Sequence, residues 1–193
     1  MLNIIIFGAP GSGKGTQSEL IMNKYRLDYI STGMTLRKII GEGSELGKIA
    51  KEYIDRGKLV PDEIIMRLIA DFLKGKQHSK GIIFDGFPRT IPQAIALKET
   101  MDMHGMDISV LIDLQVDDDE LIRRLLERGK SSGRSDDNPE TIQARLNAYH
   151  TQTAPLATYY ICEGKYASVK GRGTVDEIFR RIVDAIESRI VNS

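Results

Sequence analysis

The sequence has a single cysteine, Cys162, in 193 residues, so it can form no intramolecular disulfide and no zinc site built from several cysteines. One unpaired thiol suits a reducing compartment. Neither sign of charge is in excess, because 27 lysines and arginines meet 27 aspartates and glutamates. Nucleic-acid binders draw much of their affinity from a basic face that displaces counterions. A neutral total argues against that class and implies that any phosphate-binding charge is local. No apolar run approaches the roughly 18 residues expected of a membrane span. The opening Met1-Leu2-Asn3 lacks the basic region of a signal peptide. These absences predict a cytoplasmic protein with no membrane or nucleic-acid partner. What remains is ordinary globular composition, 41% hydrophobic and 28% charged, enough for one domain over 1–193 with a substantial core.

Three short apolar runs, at residues 2–7, 82–84 and 109–114, end in polar or glycine-rich turns. They read as strands buried on both faces, hence parallel. Residues 27–30 and 166–169 are weaker candidates. Between them lie segments of helical spacing, such as Ile64, Ile65, Leu68, Ile69 and Phe72. The alternation predicts an α/β fold, a doubly wound five-stranded parallel sheet with ligands beyond the carboxyl ends of its strands. Near the C-terminus, Thr174 and Glu177 spell a capping box. It is followed by Val175, Ile178, Phe179, Ile182, Val183, Ile186 and Ile190 on one helical face that can cover the sheet. Two segments interrupt the alternation. One is 31–60, with helical pieces broken by Gly41, Gly43, Gly47 and Gly57; the other is the polar stretch 129–138, between a helix through Leu121, Leu125 and Leu126 and one opening at Pro139. Both read as mobile covers over a rigid sheet.

Directly after the first strand comes Gly8-Ala9-Pro10-Gly11-Ser12-Gly13-Lys14-Gly15-Thr16. Glycines there let the backbone curl so that N–H groups and a helix N-terminus face an anion, while Lys14 reaches the outer phosphates. The general pattern is broken once: Gly15 follows the lysine, and the hydroxyl comes a position later, at Thr16. Asp85 ends an apolar strand, where a carboxylate can orient water on phosphate-bound Mg2+ or simply terminate the strand. Arg89 would put a bidentate guanidinium at the same end of the sheet. Arg124 and Arg128 share a helical face, Arg134 lies in the polar stretch, and Arg145 lies about two turns into the next helix. Taken alone they equally fit a solvated charged face; on a helical hairpin with a mobile tip they could be carried onto phosphates. Chemistry on a phosphate bound at such a loop relies on positioning and electrostatics rather than a covalent nucleophile. His78, His104 and His150 are accordingly read as structural or exposed.

The spelling GAPGSGKGT resembles the adenylate kinase family. So do, in order, Ser31-Thr32-Gly33 with Arg37, Lys58-Leu59-Val60, Asp85-Gly86-Phe87-Pro88-Arg89 with Gln93, Gly133-Arg134-Ser135-Asp136-Asp137, Arg145, and Tyr149-His150 with Ala154-Pro155-Leu156. The resemblance implies a monomeric P-loop kinase domain moving the γ-phosphoryl group of ATP reversibly to AMP, giving two ADP, with Mg2+ accompanying ATP. It implies ATP contacts at Gly11, Ser12, Gly13, Lys14, Gly15, Thr16, Arg124, Arg128 and Gly173. AMP would lie under a helical insertion, 31–60, against Thr32, Arg37, Lys58, Leu59, Val60, Gly86, Phe87, Pro88, Arg89, Gln93, Arg134 and Arg145. Lys14, Arg89, Arg128, Arg134 and Arg145 would stabilise the transferring charge, and Asp85 would act on Mg2+ through bound water. The Gln93 amide could pair with adenine N1 and its exocyclic amine, with the Thr32 hydroxyl near the base. Related UMP/CMP kinases generally differ at these places.

The lid that the resemblance implies, 127–137, is short and lacks the zinc-binding cysteines of longer relatives. Asp136, Asp137 and Asn138 before Pro139 fit a helix start as well as a nucleotide contact. Met34 departs from the family pattern, which usually has aspartate there, near the Mg2+ water shell. The competing readings are a UMP/CMP-type kinase and a nucleotide-binding regulatory module with weak turnover.

Overall fold

In the computed structural model, which describes residues 1–76 and 78–190, the last by its backbone alone, the three apolar runs and the two weaker candidates fall on five parallel strands. They are β1 (Ile4–Phe7), β2 (Asp28–Ser31), β3 (Ile82–Asp85), β4 (Val110–Gln115) and β5 (Tyr166–Lys170), in spatial order β2-β3-β1-β4-β5. Strand β1 is central and starts two residues later than its apolar run because Asn3 turns inward. Fully buried, Asn3 accepts from the Ile82 amide at 3.1 Å and donates to the Asp107 carbonyl at 2.7 Å, joining the entries to β3 and β4. Register aligns the other ends: Ile6 pairs with Asp85, Ser31 with Asp85, and Phe7 with Asp113. The loop after β1 therefore emerges beside Asp85 and the start of the residue 31–60 segment.

Both faces of the sheet are covered, as near-continuous apolar strands require. On one face Ile5, Phe7, Phe84 and Leu111 pack with Ile65 and Ile69 of α4 (Asp62–Leu73) and Leu97 of α5 (Ile91–Met103). On the other, Ile4, Ile6, Ile83 and Ile112 pack with Ile21 of α1 (Lys14–Tyr25) and Ile178, Ile182 and Ile186 of α9 (Val175–Ile190). The capping box of α9 forms in both directions: the Thr174 amide donates to the Glu177 carboxylate at 2.8 Å, and the Glu177 amide to the Thr174 hydroxyl at 3.2 Å. The apolar stripe is shorter than the spacing predicts. Val175, the first helical residue, is 47% exposed, and the side chain of Ile190 lies outside the described residues.

The two interrupting segments carry helices. Residues 31–60 contain α2 (Thr32–Gly41) and α3 (Glu45–Asp55), each started by a serine: Ser31 Oγ accepts from the Met34 amide at 3.4 Å, and Ser44 Oγ from the Gly47 amide at 3.1 Å. The second covering is a hairpin of α6 (Asp118–Ser132) and α7 (Pro139–Ala148). Part of the stretch expected as a loop, 129–138, is thus helical through Ser132. Gly129 is required inside α6 because a Cβ there would lie 2.5 Å from the Asp137 carbonyl oxygen, so the returning chain crosses directly over it. Asn138 caps α7 by accepting from the Thr141 amide at 3.0 Å, with Pro139 in the first helical position. The hairpin rests on a small apolar base of Ala9, Leu121, Leu125, Ile142 and Leu146. A π-helical turn, Tyr149–Thr153, and then α8 (Leu156–Cys162) lead back to β5.

Candidate active site

A cavity of about 500 Å³ opens at the carboxyl end of the sheet, between α2, the end of β3, the glycine-rich loop and the α6–α7 hairpin. Gly11 and Gly13 adopt φ of +86° and +95°, left-handed values that a side chain would strain. Gly13 caps α1 without a side-chain acceptor, so N–H groups at the start of the helix are left facing the cavity. The Lys14 ammonium curls back over the loop, donating to the carbonyls of Gly8 at 2.7 Å and Ala9 at 2.8 Å. Burial pushes its pKa down to about 8; Asp85 resists this, while Arg89, Arg145 and Arg128 add to it.

Guanidiniums converge from the loop after β3, from α2 and from the α6–α7 hairpin. Arg89, beyond β3, donates through Nε to the Gly86 carbonyl at 2.7 Å. Burial, reinforced by Arg145, lowers its pKa. The pKa values of Arg37 on α2 and Arg134 at the hairpin tip are lowered too, chiefly by burial. Arg128 on α6 grips Asp137 with both prongs, Nε to Oδ2 at 2.6 Å and Nη2 to Oδ1 at 2.8 Å. Arg145 on α7 reaches the same Oδ1 at 2.6 Å and the Asp136 carboxylate at 3.0 Å. The Asp137 side chain is 0% exposed. Burial works to raise its pKa, but the two arginines outweigh that and hold the carboxyl below its usual range. Arg124 pairs with Glu120 at 2.8 Å and donates to the Gly171 carbonyl at 3.1 Å, tying α6 to the loop before α9.

The cavity thus gathers Lys14, Arg37, Lys58, Arg89, Arg124, Arg128, Arg134 and Arg145, with Gly11, Gly13, Gly15, Thr16, Thr32, Leu59, Val60, Asp85, Gly86, Phe87, Pro88 and Gln93 also on its wall. Two expected members are not on it. Ser12 is 1% exposed beneath the loop, and Gly173 sits by the Glu177 carboxylate, outside the wall. None of the three histidines lines it: His104 bonds the Thr100 carbonyl at 2.8 Å, and His150 pairs with Asp118 at 3.0 Å. The α2 cap is Ser31, leaving Thr32 to donate to the Gly86 carbonyl at 2.8 Å. The Gln93 amide is engaged at both ends, Oε1 accepting from the Arg89 amide at 2.7 Å and Nε2 donating to Asp62 at 2.6 Å. Each of its atoms keeps capacity for one more bond, so the group is oriented in advance.

Sequence reasoning passed over Asp62, which orients Gln93, and Tyr29, whose hydroxyl donates to Asp85 Oδ2 at 2.9 Å; it noted Tyr149 only within a family motif, and that residue lies on the wall with its ring tilted against Phe7, 5.8 Å between centroids. Asp62 had a readable signal, an acid in the first turn after Pro61. Facing elements also touch across the cavity mouth, where the Ser135 hydroxyl on the hairpin donates to Asp55 on α3 at 2.8 Å.

A phosphate-type loop after the central strand of a parallel sheet, faced by clustered guanidiniums, marks a P-loop phosphotransferase. Residues 6–165 match the family model described as adenylate kinase. The chain is similar to the adenylate kinase of Parabacteroides distasonis, 62% identical over 97% of this chain and 99% of the relative. It is likewise similar to that of Bacteroides fragilis, 57% over 97% and 100%, and to that of Porphyromonas gingivalis, 48% over 97% and 96%. The chain belongs to the adenylate kinase family.

Proposed function

We infer that the chain carries out its family's reaction, reversible transfer of the γ-phosphoryl group of ATP to AMP to give two ADP. One observation carries this reading most: cations from the loop, from β3, from the insertion and from the hairpin meet around a single cavity. Simple nucleotide binding does not need cations on both sides of a transferred group, whereas phosphoryl transfer does, because charge spreads over the equatorial oxygens of a loose transition state.

In this reading ATP lies along the glycine-rich loop. Its outer phosphates draw Lys14 off the Gly8 and Ala9 carbonyls, and Arg124 lies against adenine. AMP lies under 31–60, its α-phosphate on Arg89 and Arg37 and its base on the pre-oriented Gln93 amide. Arg128, Arg134 and Arg145 close from the hairpin, excluding water as the competing acceptor. Alignment of the two nucleotides supplies on the order of 7–11 kcal/mol of the rate acceleration. Thr32 and Gln93 favour AMP over a pyrimidine monophosphate.

Adenylate kinases use Mg2+ with ATP. The residues here suit a cation held mainly by phosphates and water: Asp85 faces the loop, its Oδ2 4.0 Å from where a side chain at Gly15 would begin, and no group of three or more metal-ligating side chains exists among the described residues. Asp85 would hold it through water, with Thr16 nearby, and the ion would supply neutralisation of phosphate charge. The lid contains no cysteine to bind zinc. The chain works as a monomer in the cytoplasm on ATP, AMP and ADP, without nucleic acid or membrane. An exposed free thiol at Cys162 suits that compartment, and among the described residues no helix is long and apolar enough to cross a membrane.

The test is ADP formation from ATP with each nucleoside monophosphate in turn. AMP should exceed UMP and CMP by at least tenfold in kcat/KM. Binding of both nucleotides without ADP formation would sink the reading.

A further inference from the structure

Tyr29 stands on the edge strand β2 in register with Ile83, and Ser31 is in register with Asp85. Tyr29 is therefore on the same sheet face as Asp85 and two residues behind it, a strand rise of about 6.6 Å. A phenol is long enough to cover that rise. Its hydroxyl donates to Asp85 Oδ2 at 2.9 Å and lies 3.9 Å from the Met34 sulfur. All three side chains line the cavity beside the glycine-rich loop. Position 34 holds a thioether that is 57% exposed, and a thioether is a poor partner for a hard cation or its waters. Asp85 is the one carboxylate of the three. Carboxylate torsions are broad, so an unsupported Asp85 would sample many orientations. The phenol removes that freedom and keeps Oδ2 toward the loop with lone-pair capacity remaining.

We propose that Tyr29 is a positioning residue, which orients Asp85 toward the ATP-bound cation and supplies support that the thioether at position 34 cannot give. The inference rests on placing ATP on the glycine-rich loop. Partners of this outer kind commonly change metal affinity by 10- to 100-fold when removed. The ring itself packs against the α1/α9 side of the sheet, so Tyr29→Phe deletes the hydroxyl and keeps the packing.

The experiment measures Mn2+ affinity in the presence of a non-hydrolysable ATP analogue by electron paramagnetic resonance, alongside the Mg2+ concentration giving half-maximal ADP formation. Tyr29→Phe should weaken Mn2+ binding and raise the Mg2+ half-point, each by roughly tenfold, with the KM for AMP unmoved. In the Tyr29→Phe/Met34→Asp double variant, a carboxylate at 34 should return both values to within threefold of the parent. Mn2+ affinity and Mg2+ half-point within twofold of the parent in Tyr29→Phe overturn the proposal. So does a KM for AMP that shifts as far as the Mg2+ half-point, which would mean the hydroxyl supports the fold at large. The metal-binding arm reads Tyr29 independently of turnover, so a parent protein that makes no ADP sinks the proposed function without deciding this inference by default.

Discussion

The sheet and the α6–α7 hairpin are held by different forces. Ile4, Ile5, Ile6 and Phe84 are at most 1% exposed and belong to two extended apolar clusters, one on each face of the sheet. The hairpin has only the base of Ala9, Leu121, Leu125, Ile142 and Leu146, and above it the chain is tied by Asp137 to Arg128 and Arg145. Apolar burial is non-directional and has no charge to titrate. An ionic tie depends on geometry and on the charge of each member. The platform is therefore hard to deform, while the cover can release locally at low cost because few apolar groups are exposed when it does.

The largest break in that contrast should come from Phe84→Ala. Removing a fully buried aromatic should cost about 3–5 kcal/mol, read as a lower midpoint in denaturant with an unchanged slope and lower hydrogen-exchange protection throughout. An effect confined to β3 would contradict the single platform. Asp137→Asn should cost about 1.5–3 kcal/mol, but locally. Protection should fall in α6 and α7 while the strands keep theirs, and a uniform loss across the sheet would show the hairpin to be part of the platform. Since arginines hold the Asp137 carboxyl below its usual range, this tie is fully present above the ordinary carboxylate pKa of about 3.9. It weakens only as pH falls through the lowered folded value.

The smallest effect is the pH dependence at Lys14, whose pKa is pushed down to about 8. A lowered lysine binds fewer protons folded than unfolded between about 8 and 10.4. Its charge is thus a burden on folding below pH 8 that fades as pH rises through that window. Phosphate binding has the opposite demand, because it needs the ammonium. The kcat/KM for ATP should fall about tenfold per pH unit above the pKa, while kcat at saturating ATP holds to higher pH, since bound phosphate restores the proton. A kcat/KM profile flat to pH 9.5 would contradict a lowered Lys14 whose ammonium meets the phosphates.

The platform was legible because its signal is local: β1, β3 and β4 are apolar runs that end where polar residues begin, and β2 and β5 carry a weaker form of the same signal. The loop with Lys14 was legible for the same reason, and Arg124, Arg128, Arg134 and Arg145 line the cavity as their spacing on a hairpin allows. What escaped depends on register or on crossing segments. Tyr29 reads as an ordinary strand former until β2 and β3 are aligned, and only then does its hydroxyl fall on Asp85. Asp137 fits a helix start by sequence, and its grip on two arginines needs the chain to cross Gly129. The π-helical turn Tyr149–Thr153 leaves no compositional mark, so Tyr149 gave no warning of its place on the wall.

The sealed carboxylate of Asp137 has one more consequence. Two guanidiniums brought close together repel, and gathering them afresh for every catalytic cycle would consume free energy drawn from the nucleotides. Here a built-in counter-ion assembles Arg128 and Arg145 when the chain folds. On the proposed reading, incoming phosphates would meet these two charges already gathered, leaving that part of the polar surroundings less to rearrange when the bond breaks.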